Sequence, residues 1–278
     1  MCSESLETNT ISQELATLIV DEIPGHIVGN DDEPPGRILG LNRQGQPIMD
    51  IASLKMPYDA VPTPDGCYLV SIIRAKAVWK VRPDGSLVWS QAVGGYPCSI
   101  QLLSNTHVLV AGWDYHLPGF VREYNQSWQV VWQLEGLRWP WKAQRLETGN
   151  TLIADAGTNR VFEVTSDGRE VWAANQLGPE QPTLFDNLGP VYCQRLSDGN
   201  TLISIRALSR VVELNPAGQV VWEVGQEQIC HQYSAVRLTN GNTLIADAGH
   251  FRVVELDYNK NLVWEQTGLG YPAKAYRI

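Results

Sequence analysis

The chain repeats one block of sequence, and this self-similarity constrains its fold more than any other feature. Residues 149–164 read GNTLIADAGTNRVFEV, residues 241–256 read GNTLIADAGHFRVVEL, and residues 199–214 read GNTLISIRALSRVVEL. Each copy is followed by a turn and a Val-Trp pair, at Val171-Trp172, Val221-Trp222 and Val263-Trp264. Repetition at a fixed period is typical of architectures in which each copy forms one structural unit.

One copy contains four short strand-like segments, at residues 142–146, 151–155, 160–164 and 170–173. The segments are apolar or β-branched, and turn sequences such as TGN and SDG separate them. This pattern is typical of strands joined by hairpins and differs from the periodicity of an amphipathic helix. Each unit is therefore predicted to be a sheet of four strands.

Two weaker copies precede these three, at residues 58–89 and 97–132, so the chain holds five complete units. The Trp that ends each unit recurs every 40 to 50 residues, at positions 89, 132, 172, 222 and 264. This spacing is the length of a four-stranded propeller blade.

The two ends of the chain are predicted to supply a sixth blade. Residues 37–49, RILGLNRQGQPIM, match the last two strands of a unit, and residues 25–30 can supply the strand before them. Residues 270–278, GYPAKAYRI, match the opening of the other units, such as WPWKAQRL at residues 139–146. Closing the ring in this way removes exposed sheet edges.

The sequence therefore predicts an all-β fold: a six-bladed β-propeller of four-stranded blades, closed by pairing of the N- and C-terminal strands. We expect residues 25–278 to form this single domain and residues 1–24 to form an N-terminal cap or short helix. The repeated Trp residues are expected to fill the space between neighbouring blades. Asp155 with Arg160, and Asp247 with Arg252, are expected to pair within their blades.

A functional site is predicted where loops between the second and third strands, and loops between blades, open on one face of the ring. That face carries two long segments, at residues 111–120 and 175–192, and function tends to lie on long loops above a rigid scaffold. One inner position is equivalent in all six blades and differs in identity from blade to blade: Asp59, Ser99, Lys142, Tyr192, Ser234 and Lys274. Adjacent positions and loops add further polar and aromatic candidates: Tyr58, Cys98, Lys76 and His250.

The candidate catalytic residues are His231, Lys142, Lys274, His116 and Asp59. The candidate substrate-binding residues are Arg74, Trp113, Asp114, Tyr115, Trp141, Tyr192, Cys193, Arg206, Tyr233 and Ser234. Basic residues at the mouth of an acidic protein favour a ligand with an anionic group, and a histidine there suits proton transfer. The alternative is a ring of polar side chains that only hydrates the channel. No metal and no other cofactor is expected.

The net charge of −9 argues against a nucleic-acid backbone or an anionic membrane surface as the partner. The first residues, MCSESLETNT, carry no basic and apolar leader pattern, and no apolar run is long enough to span a bilayer. The five cysteines contain no CxxC pair and fit free thiols. We therefore expect a cytoplasmic location.

The units GNTLIADAGTNRVFEV and GNTLIADAGHFRVVEL, each followed by a turn and Val-Trp, resemble the blades of NHL-type and quinoprotein-like (PQQ-like) propellers. The opening QRL, a turn and GNTLI, at residues 144–153, is also similar to that of the aryl sulfotransferase family. The resemblance spans nearly the whole chain and implies a propeller. It implies little about activity, because such repeats occur in proteins of unrelated function.

Two functions are compatible with these sequence features. The first is a cytosolic, monomeric enzyme that acts on a small anionic or aromatic metabolite at the channel mouth, by transferase-, lyase- or isomerase-type chemistry without a metal. The second is a non-catalytic scaffold that binds a ligand or a protein partner on the same face.

Overall fold

Six four-stranded antiparallel sheets make up the computed structural model, which describes residues 15–22, 35–183 and 188–278. Among these residues the only helices are two single 3-10 turns, at Arg206–Leu208 and Ala248–His250. The sheets are the blades of a six-bladed propeller, as the repeats predicted.

Blades are numbered in the order of their first strands. Blade 1 contains β4 (Pro57–Pro62), β5 (Tyr68–Ile72), β6 (Ala77–Val81) and β7 (Leu87–Ala92). Blade 2 contains β8 (Tyr96–Leu102), β9 (Val108–Trp113), β10 (Gly119–Tyr124) and β11 (Val130–Leu137). Blade 3 contains β12 (Pro140–Arg145), β13 (Thr151–Asp155), β14 (Arg160–Val164) and β15 (Glu170–Ala174).

The remaining blades follow the same order, with the last one drawn from both ends of the chain. Blade 4 contains β16 (Pro190–Arg195), β17 (Thr201–Ile205), β18 (Arg210–Leu214) and β19 (Val220–Val224). Blade 5 contains β20 (Ser234–Arg237), β21 (Thr243–Asp247), β22 (Arg252–Leu256) and β23 (Leu262–Gln266). Blade 6 contains β24 (Tyr271–Arg277), β1 (Thr17–Glu22), β2 (Gly36–Leu41) and β3 (Pro47–Leu54).

The first strand of every blade contacts the first strand of the next, and β24 contacts β4. These contacts close a circle of six inner strands around a central channel. The channel-facing positions of different blades can therefore meet at the ring axis.

The strand that completes blade 6 comes from a segment that we predicted to belong to the N-terminal cap. β1 lies between β24 and β2, with Thr17 opposite Arg277 and Leu41. The terminal strand thus pairs with β1 and not with the segment around Arg37, while residues 25–30 lie outside the described residues. Leu18, Ile19 and Val20 are fully buried, and an apolar run on both faces of a strand requires a blade on either side.

Asp21 joins the two ends of the chain. Its carboxylate accepts hydrogen bonds from the backbone N–H groups of Gly270 (2.9 Å) and Tyr271 (2.8 Å) and from Arg37 Nε (3.1 Å). Asp21 is 1% exposed. The closure is therefore fixed by a buried charge as well as by the β1–β24 ladder.

A repeated three-residue contact, which we call the clamp, joins four of the six blade interfaces. An arginine at the end of one inner strand pairs with a glutamate on the third strand of the preceding blade and stacks on that blade's Trp. The four clamps are Arg145–Glu123–Trp132, Arg195–Glu163–Trp172, Arg237–Glu213–Trp222 and Arg277–Glu255–Trp264. The Trp residues thus lie between blades, as predicted.

Both interfaces of blade 1 have other residues at the clamp positions. Pro62 and Leu102 occupy the arginine positions, and Lys80 occupies a glutamate position. Between blades 1 and 2 this leaves a cleft of about 550 Å³, lined by Leu69, Trp89, Trp128 and other side chains on the short-turn face. Lys80 there pairs with Asp65 at 2.6 Å.

Of the two predicted Asp–Arg pairs, one is observed. Arg252 Nε lies 2.9 Å from Asp247 Oδ2. Arg160 pairs instead with Glu170 at 2.7 Å, because the Asp155 carboxylate is taken up by the backbone N–H groups of residues 138, 139 and 157. That part of the prediction was wrong.

Candidate functional site at the channel mouth

Equivalent positions of the six blades form four stacked rings along the channel. Next to the face of the second-to-third loops lies the rim ring: Glu22, Ile73, Trp113, Ala156, Arg206 and Ala248. Below it lies the aromatic ring: Tyr58, Cys98, Trp141, Val191, Tyr233 and Ala273. The polar ring follows: Asp59, Ser99, Lys142, Tyr192, Ser234 and Lys274. Towards the short-turn face lies the lower ring: Val61, Gln101, Gln144, Gln194, Val236 and Tyr276.

A bulge at the start of the inner strands brings two consecutive residues to the channel. In blades 1 to 4 and in blade 6 the ladder register shifts by one residue directly after a proline, at Pro57, Pro97, Pro140, Pro190 and Pro272. Proline has no N–H to give to the ladder, so the extra residue is tolerated there. For this reason the aromatic ring and the polar ring occupy adjacent sequence positions.

The aromatic ring closes the channel below the rim. The rings of Tyr58, Trp141 and Tyr233 contact one another, with centroids 5.1 to 6.1 Å apart. The array continues through Trp113, 6.3 Å from Trp141, and through Tyr271, 5.6 Å from Tyr233. The floor of the mouth is thus a continuous aromatic surface.

Two charged side chains, Glu22 and Arg206, stand in the otherwise apolar rim ring. Arg206 is 5% exposed; its guanidinium lies 4.7 Å from the Tyr233 ring centre and donates to Tyr271 Oη at 2.9 Å. Burial raises the pKa of the Tyr58 phenol well above its ordinary value; the Glu22 carboxylate adds to the increase and Arg206 opposes it. Both charges therefore act on the same phenol at the floor of the mouth.

Glu22 was not among the predicted site residues, because its segment was assigned to the N-terminal cap. The signal was present: TLIVD at residues 17–21 matches TLIAD at residues 151–155 and 243–247. That alignment places Glu22 at the position of Arg206. Tyr271 and Tyr276 were missed as well, although both lie in the predicted closing strand.

The polar ring brings together three of the predicted catalytic residues beneath the aromatic ring. Asp59 Oδ1 accepts from Tyr276 Oη (2.6 Å) and Ala60 N (2.9 Å), and Oδ2 accepts from Ile100 N (3.0 Å) and lies 3.9 Å from Lys142 Nζ. Lys274 is fully buried, with its Nζ 5.0 Å from the ring centres of Tyr58 and Tyr192. A ligand resting on the rim would be separated from these groups by the aromatic ring.

The predicted histidines lie at the surface. His231 is exposed, with its Nδ1 3.7 Å from Cys230 Sγ and its backbone N–H donating to Ser209 Oγ. His116 is exposed in the loop after β9, where its N–H donates to Asp114 Oδ1. That loop spans residues 114–118, one residue more than the equivalent loops of blades 1, 3, 4 and 5, because the flanking strands extend into the predicted long segment.

The other candidates divide between the mouth and the blade interior. Asp114 pairs with Lys76 at 2.7 Å, Tyr115 makes an edge-to-face contact with Trp113, and Arg74 donates to Met56 Sδ. Cys193 lies in the apolar layer between blades 3 and 4, and burial raises the pKa of its thiol to about 12. Burial likewise raises the pKa of the Cys98 thiol, so both cysteines are protonated near neutral pH.

Lys274 gives the polar ring a testable pH dependence. Burial lowers the pKa of its ammonium to about 8, a change that Asp59 opposes and Lys142 reinforces. Since the folded pKa lies below the unfolded one, protonation favours unfolding, and the unfolding free energy should rise as the pH goes from about 8 to about 10.5. Relative to Lys274→Met in low-salt buffer, we expect the wild type to gain about 2 kcal/mol between pH 7 and pH 10.

Urea unfolding of both proteins at each pH measures this gain. Taking the difference between the two isolates Lys274: the buried thiols, whose pKa values Lys274 lowers, have still higher pKa values in Lys274→Met, so they stay protonated below pH 10 in both proteins. Parallel pH profiles would contradict a buried ammonium.

Among the described residues, no three His, Cys, Asp or Glu side chains are grouped so that they could hold a metal ion. The described part of the chain also has no helix with the length and apolar character needed to cross a bilayer.

Comparisons with known proteins identify the fold. No protein-family model matches the chain, and no curated protein matches it significantly. A protein of unknown function from Bacteroides caccae is 19% identical, with a TM-score of 0.72 over 95% of this chain and 99% of that one. The WD40 β-propeller domain of Doa1 is 12% identical, with a TM-score of 0.64 over 95% of both chains. Virginiamycin B lyase from Staphylococcus aureus is 11% identical, with a TM-score of 0.59 over 90% of this chain and 88% of that one. At these identities the similarity establishes a β-propeller scaffold. Among the similar structures, this scaffold occurs both in a lyase and in a WD40 domain.

Proposed function

We propose that this propeller binds a small molecule with a planar ring and an anionic group at the channel mouth, and acts on it as an enzyme. The observation that carries the proposal is the pair of charged residues, Arg206 and Glu22, set above a continuous aromatic floor. The clamps that hold the blades together use none of these residues, so the blade frame does not by itself require them.

The aromatic floor favours a flat ligand. A planar group resting on this floor would meet the small exposed parts of Trp113, Trp141 and Tyr233, which are 4 to 7% exposed, and stacked or edge-to-face pairs add favourable energy beyond burial alone. Concave apolar surfaces with few, well-placed polar groups are typical of small-molecule sites.

Arg206 supplies the anion recognition. Its guanidinium is held against Tyr233 and Tyr271, so little side-chain entropy is lost when it binds a carboxylate, sulfate or phosphate group. A planar guanidinium also matches such groups with two parallel hydrogen bonds.

The chemistry that we assign to the mouth is proton transfer. The raised pKa values keep the phenols of Tyr58 and Tyr233 protonated, as hydrogen-bond donors, and Glu22 is the carboxylate placed to accept or return a proton. A lyase-, isomerase- or transferase-type step suits this set. A catalytically inactive form of virginiamycin B lyase has been crystallised with quinupristin, so a propeller fold can carry a lyase active site. His231, His116, Lys142, Lys274 and Asp59 keep their catalytic assignments as predictions.

Replacing Arg206 by methionine should weaken binding of the anionic ligand about 10- to 100-fold, because a hydrogen-bonded charge contributes about 1.5 to 3 kcal/mol. Quenching of tryptophan fluorescence by benzoate, indole-3-acetate and phenyl phosphate measures the affinity. Arg210→Met is the matched control, since Arg210 lies in the same blade and pairs with Glu223 at the surface. The site would be contradicted if Arg206→Met and Arg210→Met lost the same amount of affinity. It would also be contradicted if the ligands still quenched the fluorescence of the double variant Trp113→Ala/Arg206→Met.

A second function, docking of a protein partner on the same face, is supported by exposed apolar side chains in its loops. Tyr115, Leu117, Leu208 and Phe251 are 45 to 62% exposed. Changing all four to serine should abolish capture of such a partner and leave small-molecule quenching intact. Native mass spectrometry of the purified protein separates the two functions by what remains bound.

The cytoplasmic location, the monomeric state and the kinship of the blades with NHL-type, quinoprotein-like and aryl sulfotransferase propellers also remain predictions. Of these predictions, the location bears on the proposed function, because it determines which metabolites the protein would meet.

A further inference from the structure

We propose that the polar ring binds a small inorganic anion, of the size of a halide or nitrate, on the channel axis. Lys274 and Lys142 would supply its positive charge, and the hydroxyls of Ser99 and Ser234 would supply further donors. This site lies beneath the aromatic ring and does not depend on the proposed function of the mouth.

Three polar atoms of the ring have no hydrogen-bond partner among the described residues. They are Lys274 Nζ, Ser99 Oγ and Ser234 Oγ, and all three side chains are at most 1% exposed. Buried polar atoms in native proteins are almost always satisfied by protein, water or an ion. Three such atoms on one ring, on three different blades, indicate a shared occupant.

Asp59 does not hydrogen-bond to Lys274 in the structure. Its two oxygens already accept from Ala60 N, Tyr276 Oη and Ile100 N, and Lys142 is the ammonium within 4.0 Å. The phenols of Tyr58, Tyr192 and Tyr276 and the thiols of Cys98 and Cys193, which also surround the ring, have raised pKa values and are neutral. The ring therefore contains two ammonium groups and one carboxylate.

The excess positive charge favours an anion over water alone. A water molecule could satisfy the serine hydroxyls, but it would leave an ammonium group without a counter-charge in a buried site, which is costly. An anion between Lys274 and Lys142 would balance the charge and accept hydrogen bonds from all three orphan donors.

The occupant would enter from the short-turn end of the channel. Gln101, Gln144 and Gln194 in the lower ring are half-buried, whereas the aromatic ring closes the other end. Three amide side chains at this end suit the entry of a hydrated monovalent ion, and this is why we assign the site to a small inorganic anion.

Bromide is the probe for a crystallographic test. Crystals of the full chain grown in sodium bromide should show an anomalous peak on the channel axis within hydrogen-bonding reach of Lys274 Nζ. Lys274→Met should lose the peak, and the surface variant Lys80→Met should keep it. A wild-type channel that contains ordered water and no anomalous peak would overturn the proposal, as would a peak that persists in Lys274→Met.

A solution test guards against binding that occurs only at crystal concentrations. At constant ionic strength, with gluconate replaced by bromide, a ligand that binds only the folded state lowers the unfolding constant about 11-fold at ten times its Kd. We expect this saturable stabilisation in wild type and Lys80→Met but not in Lys274→Met. Identical bromide dependence in all three proteins would refute the site. Should Lys274→Met fail to fold, a linear, unsaturating response of the wild type would refute it alone.

Discussion

Replacing Asp21 by alanine is expected to lower the free energy of unfolding by about 3 kcal/mol, because it strips a buried acceptor from two backbone N–H groups and one guanidinium. The N–H groups belong to Gly270 and Tyr271, at the entry to the last strand, and the guanidinium belongs to Arg37. The change should open the ring at its seam, the β24–β1 pairing where the two ends of the chain meet, because no covalent connection joins these two strands.

Asp50→Ala is the control for this prediction. Asp50 also pairs with Arg37, at 3.5 Å, but its side chain is 47% exposed, so its removal should cost about 0 to 1 kcal/mol. Urea unfolding gives both values, and Asp21→Asn, which keeps an oxygen for the N–H groups, should fall between them. If the two alanine variants were equally stable, the seam would not depend on the buried carboxylate.

Replacing Glu213 by alanine is expected to cost about 3 to 5 kcal/mol, because it leaves the Arg237 guanidinium buried without its counter-charge. In this clamp, Arg237 Nη2 donates to Glu213 Oε2 at 2.7 Å, and the two side chains are 10% and 6% exposed. Glu213 also holds Asn200 at 2.7 Å, so its loss affects both sides of the interface.

Glu223→Ala provides the matched comparison in the same blade. Its carboxylate pairs with Arg210 at the surface, where the side chains are 39% and 47% exposed, and we expect a loss of about 0 to 1 kcal/mol. Combining Glu213→Leu with Arg237→Met should recover most of the stability, since apolar residues of similar volume can replace a buried ion pair. A double variant no more stable than Glu213→Ala would show that the charges themselves hold the blades together.

Blade 1 differs from the other blades because neither of its interfaces has a clamp. Its two interfaces are packed by apolar side chains, including Met49 and Tyr68 on one side and Trp89 and Trp128 on the other. Without a clamp arginine to fill the space, a cleft remains between blades 1 and 2. These are also the two blades with the weakest copies of the repeat.

Most of the blade boundaries could be predicted because local sequence fixes them. The segments at residues 151–155 and 160–164 form strands with those bounds, since each begins and ends at a turn sequence. The strand at Thr17–Glu22 was missed because its sequence lacks the preceding Gly-Asn turn of the other copies. Its pairing partner lies at the other end of the chain, where no local signal can report it.

The candidate site divides in the same way. Alignment of the repeats found the six members of the polar ring, because a strand's register determines which residues share a face. The alignment could not predict how far from the mouth of the channel these residues lie. Lys142 and Lys274 were predicted at the mouth, and the bulges after Pro140 and Pro272 instead place the aromatic ring between them and the rim.

The sequence by itself determined the number of blades, the four strands in each, and the identity of the residues that face the channel, because these follow from a short repeat and the two-residue period of a strand. The tertiary structure alone decided what those residues do to one another. Charges from separate blades, such as Glu22 with Arg206 and Asp59 with Lys142, act on common neighbours only because the ring closes. Whether a lysine is a solvated cation or a buried one depends on the side chains that five other blades place around it.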